Sequence, residues 1–388
     1  MEKCFINGKI VVGDQVLEGY NLVVNNGKIV EITKKSSNHG EKINARQNYI
    51  LAGFIDIHVH GGAGADVMDG TPEDIEKVVN MHLRHGTTGI CPTTMSAPMN
   101  EIELAFDNYR QVVKRGNTKS RLLGLHLEGP YISPKMCGAQ NPDLIVPPTE
   151  EEIEKIKRNS DIIARITCAP EIENVTKMAK ELLSSGIQFS MGHTNATYEQ
   201  AEEATETGFS SITHLYSATS GFHKVNQKVH IGVTQAGYGI DGLYVELIGD
   251  GCHVPKELLR LVHRYKGAEK ICLVTDAMRA AGTDATESYL GKAIPENRVI
   301  IDDGVAKLPD KSCFAGSIGT MDRAVKFAVE KAGIPITEVS KMVSLAPAKL
   351  LKADNLIGDI AKNKLADLVL MDSEFNVTSV YVGGEKAV

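Results

Sequence analysis

Eight short apolar runs, most of them followed by a helix-like segment, restrict the fold of this chain more than any other feature. They are GFIDIHVHGG (53–62), GTTGICPTT (86–94), RLLGLHLEGP (121–130), IIARITCAPE (162–171), GIQFSMGHT (186–194), FSSITHLYSA (209–218), LYVELIGDGCH (243–253) and KICLVTDAM (270–278). Each has the length of a strand and ends in polar residues or glycine. Between the first two, TPEDIEKVVNMHLRHG offers Thr71 as an N-cap, Pro72 for the first turn and Gly86 as a stop. TYEQAEEATETG and VPKELLRLVHRYKG repeat the pattern, and TMDRAVKFAVEKAG follows the eighth run; VHIGVTQAGYG, between the sixth and seventh, is only marginally helical. Eight strand–helix units in about 280 residues predict an α/β chain of the (β/α)8 TIM-barrel class, whose functional residues lie at the C-terminal strand ends.

The two ends of the chain have a different texture. CFINGKIVVGDQVLEGYNLVVNNGKIVEI and GDIAKNKLADLVLMDSEFNVTSVYVGG are β-type runs punctuated by hairpin signals such as NG, GD and NNG. They predict a small β-sandwich domain built from both termini, residues 1–50 plus 355–388, beside a catalytic barrel over 51–354. Net charge is −7, which argues against a broad nucleic-acid surface. No apolar run reaches the roughly 18–20 residues of a membrane span, and the N-terminus MEKCFINGKI has no signal-peptide pattern. Seven scattered cysteines without a CxxC suggest neither a disulfide framework nor a zinc ribbon, so a cytoplasmic enzyme is expected.

Residues i and i+2 of a strand face the same side, so His58 and His60 project together, into the barrel. Alone, such a pair is most simply two satisfied buried histidines. It is not alone: the third run ends in Glu128, the fifth in His193, the sixth in His214 and the eighth in Asp276. Carboxylates buried at such points are costly unless paired or bound to metal. Imidazoles and carboxylates converging on one barrel mouth suit Zn²⁺ or a similar divalent ion. His126, sharing the face of Glu128, is expected to support or pack, and GTTGICPTT to form barrel core. His82, His85 and His263 fall on helical segments and are expected at the surface or between helices.

The chain resembles the amidohydrolase superfamily and, within it, the N-acetylglucosamine-6-phosphate deacetylases. LEGPYISP…GAQNP, MGHTNATYEQA, THLYSA, GDGCHV, LVTDAM and FAGSIGTMDRAV carry the resemblance over nearly the whole length. HLEGP is its most specific element, because the family places a glutamate where many amidohydrolases use a carbamylated lysine. The resemblance implies release of acetate from an N-acetylated amino-sugar phosphate, with Glu128, His193 and His214 holding the main metal. His58 and His60 would hold a second ion, and Asp276 is counted among the metal residues. Asp276 would be the catalytic acid–base and His253 the partner of the carbonyl or oxyanion. The ion is expected to be Zn, with Fe, Mn or Co as alternatives, and one or two per subunit.

Ala139, Gln140, Ser217 and Ala218 would meet the sugar through backbone groups, and Phe314, Ala315 and Gly316 would close over it. The resemblance also implies a homodimer in which the loop after the sixth strand brings His223 and Lys224 to the neighbouring site. Two positions depart from the family pattern. Ser217 stands where asparagine is usual, and Val225 replaces an arginine that contacts the sugar phosphate. Valine cannot grip a phosphate, whereas His223, Lys224 and Lys228 are nearby cations. The sequence therefore leaves open a different or non-phosphorylated N-acetyl sugar, a cyclic amide or dipeptide substrate, and, last, a non-catalytic binding scaffold.

Overall fold

All eight runs form strands in the computed structural model, which describes residues 1–35 and 40–388. They are β1 (Phe54–Val59), β2 (Thr87–Pro92), β3 (Leu125–Glu128), β4 (Ile163–Cys168), β5 (Gln188–Met191), β6 (Phe209–Ile212), β7 (Tyr244–Ile248) and β8 (Ile271–Val274). A helix follows each: α1 (Pro72–Arg84), α2 (Met99–Arg115), α3 (Glu150–Arg158), α4 (Val175–Leu182), α5 (Tyr198–Glu206), α6 (Val233–Gly239), α7 (Lys256–Lys266) and α8 (Met321–Lys326). Thr71 caps α1 by accepting the Asp74 N–H at 3.3 Å, with Pro72 in the first turn. Thr197 and Gln200 form a reciprocal capping box on α5. The marginal segment after β6 does become a helix, of seven residues.

The arrangement is of the TIM-barrel type, but the strands do not form one closed ladder. β3 to β8 make a six-stranded parallel sheet in chain order, while β2 pairs with β1 in a separate three-stranded sheet. Among the described residues the edges are joined by single bridges, Thr93 with His126 and Val59 with Ala277. The third run explains one gap. It breaks at Gly124, whose φ is +109° and whose N–H donates to the Tyr109 hydroxyl at 2.8 Å. The half before the break, Arg121–Leu122, pairs with β2, and the half after it pairs with β4. A Cβ on Gly124 would meet the Ala164 backbone N at 2.8 Å. On the other side the β1–β2 register shifts twice, and Pro92 has no N–H to give.

Both ends of the chain lie in two further sheets. One has the order Lys28–Thr33, Asn21–Asn25, Glu2–Ile6, Glu41–Asn44. The other runs Glu385–Lys386, Val377–Val382, Leu368–Met371, Tyr49–Ala52, Lys9–Val12, Gln15–Leu17. Phe5, Leu22 and Val24 from the first sheet and Ile50, Leu368 and Leu370 from the second bury their side chains in one shared cluster. A three-stranded antiparallel sheet, Glu287–Tyr289, Arg298–Asp302 and Val305–Lys307, is inserted between β8 and α8. No sequence signal marked it.

Candidate active site

The interior of the strand cylinder is polar and hydrogen-bonded. Along β1 the alternation sends Asp56 and His58 inward with His60 just beyond, all at most 3% exposed. Deep in this layer Arg165 of β4 pairs with Glu246 of β7, both fully buried. The Glu246 Oε2 also accepts the His58 Nδ1–H at 2.9 Å. Burial alone would raise the Glu246 pKa; Arg165 and His58 reverse that and hold it below the usual carboxylate range. His126 sits beside them, bonded to Thr167 at 2.7 Å, with its ring 4.6 Å from that of His58. Burial, with Arg165 and His58 nearby, keeps His126 neutral, as its supporting place requires.

Above this layer the predicted ligands converge. Two sets, His58–His60–Glu128 and Glu128–His193–His214, each present donor atoms within 4.8 Å of one another. Glu128 is shared: its Oε1 lies 3.3 Å from His58 Nε2, 3.3 Å from His193 Nε2 and 3.1 Å from His214 Nε2. Its Oε2 lies 3.3 Å from His60 Nε2 and accepts the Gln140 amide at 2.9 Å. The Gln140 Oε1 in turn accepts the Ser96 N–H at 2.9 Å, so this side chain orients Glu128.

The outer hydrogen bonds decide which nitrogen is bare. His58 donates from Nδ1 to Glu246, and His193 donates from Nδ1 to the Met136 carbonyl at 2.8 Å. Both Nε2 atoms are therefore the ones left to offer a lone pair to a cation. His58 Nε2 lies 3.2 Å from His60 Nε2, and His193 Nε2 lies 3.2 Å from His214 Nε2. Lone-pair donors gathered around one carboxylate suit divalent cations, with outer partners fixing ring orientation. Without a cation the same carboxylates hold a proton instead: burial disfavours charge on His60, but Asp276 and Glu128 raise its pKa to about 9. Metal binding displaces such protons.

Asp276 completes the group, its Oδ1 3.4 Å from His58 Nε2 and 3.3 Å from His60 Nε2. Burial would favour its neutral form, yet His58 and His60 bring its pKa down to about 2. His193, His214 and Asp276 have φ of +47°, +31° and +48°, left-handed values that non-glycine residues rarely adopt. Such strain collects at functional sites, where surrounding structure enforces it.

The glycines after β1 have a steric cause. A Cβ on Gly61 would lie 2.6 Å from both the Ala65 carbonyl and the Arg279 N, and one on Gly62 would collide with Met81. His82 is fully buried, contrary to its expected surface or interhelical place, and its Nε2–H donates to the Gly61 carbonyl at 3.0 Å. His85 and His263 are only partly buried, facing Asp322 and Glu338.

A cavity of about 450 Å³ opens over the cluster. Of the predicted residues, His60, Glu128, Ala139, Gln140, His193, His214, Ser217, Ala218, His253, Asp276, Phe314 and Gly316 line it. His58 lies beneath the floor, fully buried. Ala315 is also buried, its N–H paired with the Ala306 carbonyl, and contributes no wall. His253 donates from Nδ1 to Asp250 at 2.7 Å and packs edge-on to Phe314. His223 and Lys224 are exposed on a hairpin, His223–Val225 with Lys228–His230, and do not reach the cavity of their own chain.

Sequence reasoning missed Lys135, Met95, Tyr216, Leu290 and Cys313 in the wall, and Arg165 and Glu246 below it. The last two did leave a signal: each is a lone charge inside an apolar run.

The amidohydrolase family model matches residues 49–387. The N-acetylglucosamine-6-phosphate deacetylase of Lysinibacillus sphaericus is 34% identical over 357 residues, covering 92% of this chain and 90% of that protein. The N-acetylgalactosamine-6-phosphate deacetylase of Escherichia coli O157:H7 is 32% identical, covering 86% of each chain. Among solved structures, the N-acetylglucosamine-6-phosphate deacetylase from Pasteurella multocida superposes over 100% of both chains with a TM-score of 0.93 at 32% identity.

Proposed function

The chain belongs to the amidohydrolase family, and on that footing we propose that it hydrolyses the acetamide of N-acetylglucosamine 6-phosphate. The products are glucosamine 6-phosphate and acetate, a step of amino-sugar catabolism. The observation that carries this reading is the convergence of two His/Glu donor sets and Asp276 on the floor of one cavity. Relatives similar over nearly the whole chain bear that activity.

Glu128, His193 and His214 would hold the main ion, and His58 and His60 with Glu128 a second; we take zinc as the first candidate ahead of iron, manganese and cobalt. A divalent ion there supplies Lewis acidity, acidifying water and polarising the acyl carbonyl. Asp276 accepts the proton of the attacking water at its carboxylate and returns it to the sugar nitrogen as the C–N bond breaks. His253 has Nδ1 committed to Asp250, which leaves Nε2 for the carbonyl oxygen and the charge that develops on it. Ala139, Gln140, Ser217 and Ala218 in the wall would meet the sugar, and Phe314 and Gly316 would close over it.

The same reading divides the chain into a sandwich domain, 1–50 with 355–388, and a barrel domain, 51–354, and places the enzyme in the cytoplasm as a homodimer. The seven free cysteines support that compartment. The exposed apolar residues of the hairpin arm, Phe222, Val225 and Val229, support the dimer, in which His223 and Lys224 would serve the neighbouring copy. Acetate release tests the reaction. Metal-loaded protein is offered N-acetylglucosamine, N-acetylgalactosamine and N-acetylmannosamine, each free and 6-phosphorylated. Turnover of the glucosamine phosphate is expected. Hydrolysis of a cyclic amide or dipeptide with no activity on any sugar would overturn the reading.

A further inference from the structure

The cavity wall holds two carboxylates, four imidazoles and one lysine side chain, that of Lys135. Lys135 is exposed, and among the described residues its side chain makes no hydrogen bond or ion pair. Its charge is not spent on the fold. Its backbone, by contrast, is tied to the centre. The residue lies in the single 3-10 turn Pro134–Met136, between Ser133 and Met136. The Ser133 N–H donates to the His193 carbonyl at 2.8 Å, and the Met136 carbonyl accepts the His193 Nδ1–H at 2.8 Å. Two hydrogen bonds to one metal-site histidine thus clamp the turn from both sides, and the free ammonium is carried on a fixed base.

The other basic groups near the mouth lie elsewhere. His223, Lys224, Lys228 and His230 are exposed on the hairpin after β6 and absent from the wall, and Val225 beside them is uncharged. A dianionic substrate entering this cavity finds, beyond the floor that carries Glu128, Asp276 and the imidazoles, a lysine ammonium in the wall, that of Lys135.

We propose that Lys135 is the specificity-determining residue for the phosphate of the substrate, the cation inside the wall that the hairpin of the same chain does not supply. This rests on the acetamido-sugar reading above. Lysine acts on phosphate as a point charge rather than a two-pronged clamp, so the loss on its removal falls on binding.

Steady-state kinetics on N-acetylglucosamine with and without the 6-phosphate test the proposal with the wild type, Lys135→Met and Lys135→Arg. Lys135→Met is expected to lower the phosphorylated-to-free ratio of kcat/KM about 10–100-fold, mostly through KM, and Lys135→Arg to retain most of it. Calorimetric binding of glucosamine 6-phosphate provides a readout that needs no turnover. A Kd at least tenfold weaker in Lys135→Met supports the assignment, even should the acetamide prove not to be the bond cleaved. An unchanged Kd overturns it, and Lys224→Met showing the loss instead would move the phosphate contact to the neighbouring copy's arm. Failure of the wild type on all acetamido sugars, with glucosamine 6-phosphate still bound through Lys135, would sink the deacetylase reading alone.

Discussion

Replacing Glu246 by glutamine should separate what the buried charge network does for stability from what it does for metal binding. Glu246 is fully buried and receives the Arg165 guanidinium on one oxygen and the His58 Nδ1–H on the other, the latter at 2.9 Å. Glutamine keeps the shape but offers one acceptor where two donors wait, and leaves the Arg165 charge without a counterion. Removing one member of a buried pair costs about 3–5 kcal/mol. Loss of a carboxylate behind a ligating histidine lowers metal affinity about 10–100-fold. Urea unfolding of the chelated protein reads the first quantity, and metal content after equilibrium dialysis, by plasma mass spectrometry, reads the second. The single variant should lose roughly 3 kcal/mol or more, and should bind more weakly any ion that His58 and His60 would hold. Adding Arg165→Met removes the orphaned charge, so the double variant should regain most of the stability while the second ion stays weakly bound. Additive destabilisation in the double variant, or a full metal complement in Glu246→Gln, would refute the coupling drawn from these contacts.

Asp276→Asn should reduce kcat on the acetamido sugar by about 10²–10⁴-fold while the protein still retains metal, since Glu128 and the four histidines remain; kinetics beside metal analysis checks both halves. His82 titrates near 4 when folded, because burial disfavours its charge, against about 6.5 unfolded. Between those values the unfolded chain binds the extra proton, so stability should fall as pH drops from 6.5 to 4, by roughly 3 kcal/mol from this residue. Denaturant unfolding across that range should show a shallower pH slope in His82→Gln, and an unaltered slope would mean His82 is not the group. Gly61→Ala forces a Cβ within 2.6 Å of two backbone atoms. It should cost about 1–3 kcal/mol in a thermal melt and weaken metal binding at His60; a variant as stable as the parent would show that the turn has room.

Much of this site is legible in the sequence because it rests on local periodicity. The two-residue repeat of a strand places His58 beside His60 and His126 beside Glu128 whatever surrounds them, and Thr71 and Thr197 mark helix starts through contacts three residues away, Pro72 through its fixed backbone angle. The three-stranded sheet between β8 and α8 was not legible: its strands are three to five residues long and depend on pairing with each other. That sheet nonetheless stands next to Leu290, Cys313 and Phe314, all of which line the cavity. The gap between β2 and β3 was equally hidden. Gly124 reads as an ordinary residue of an apolar run until Ala164 of the next strand lies against it.

What the sequence determined by itself is the set of eight strand–helix units and the histidines and carboxylates at their ends, since both follow from interactions within a few residues. The tertiary structure alone decided which charges meet and which stay free. Arg165 and Glu246 are isolated oddities in two apolar runs until β4 and β7 face each other across the barrel, where neither could remain buried without the other. Lys135 is one lysine among many until a turn bound twice to His193 sets it on the cavity wall with no side-chain partner among the described residues. Long-range electrostatics depends on distances that only the folded chain defines, whereas periodicity and capping do not.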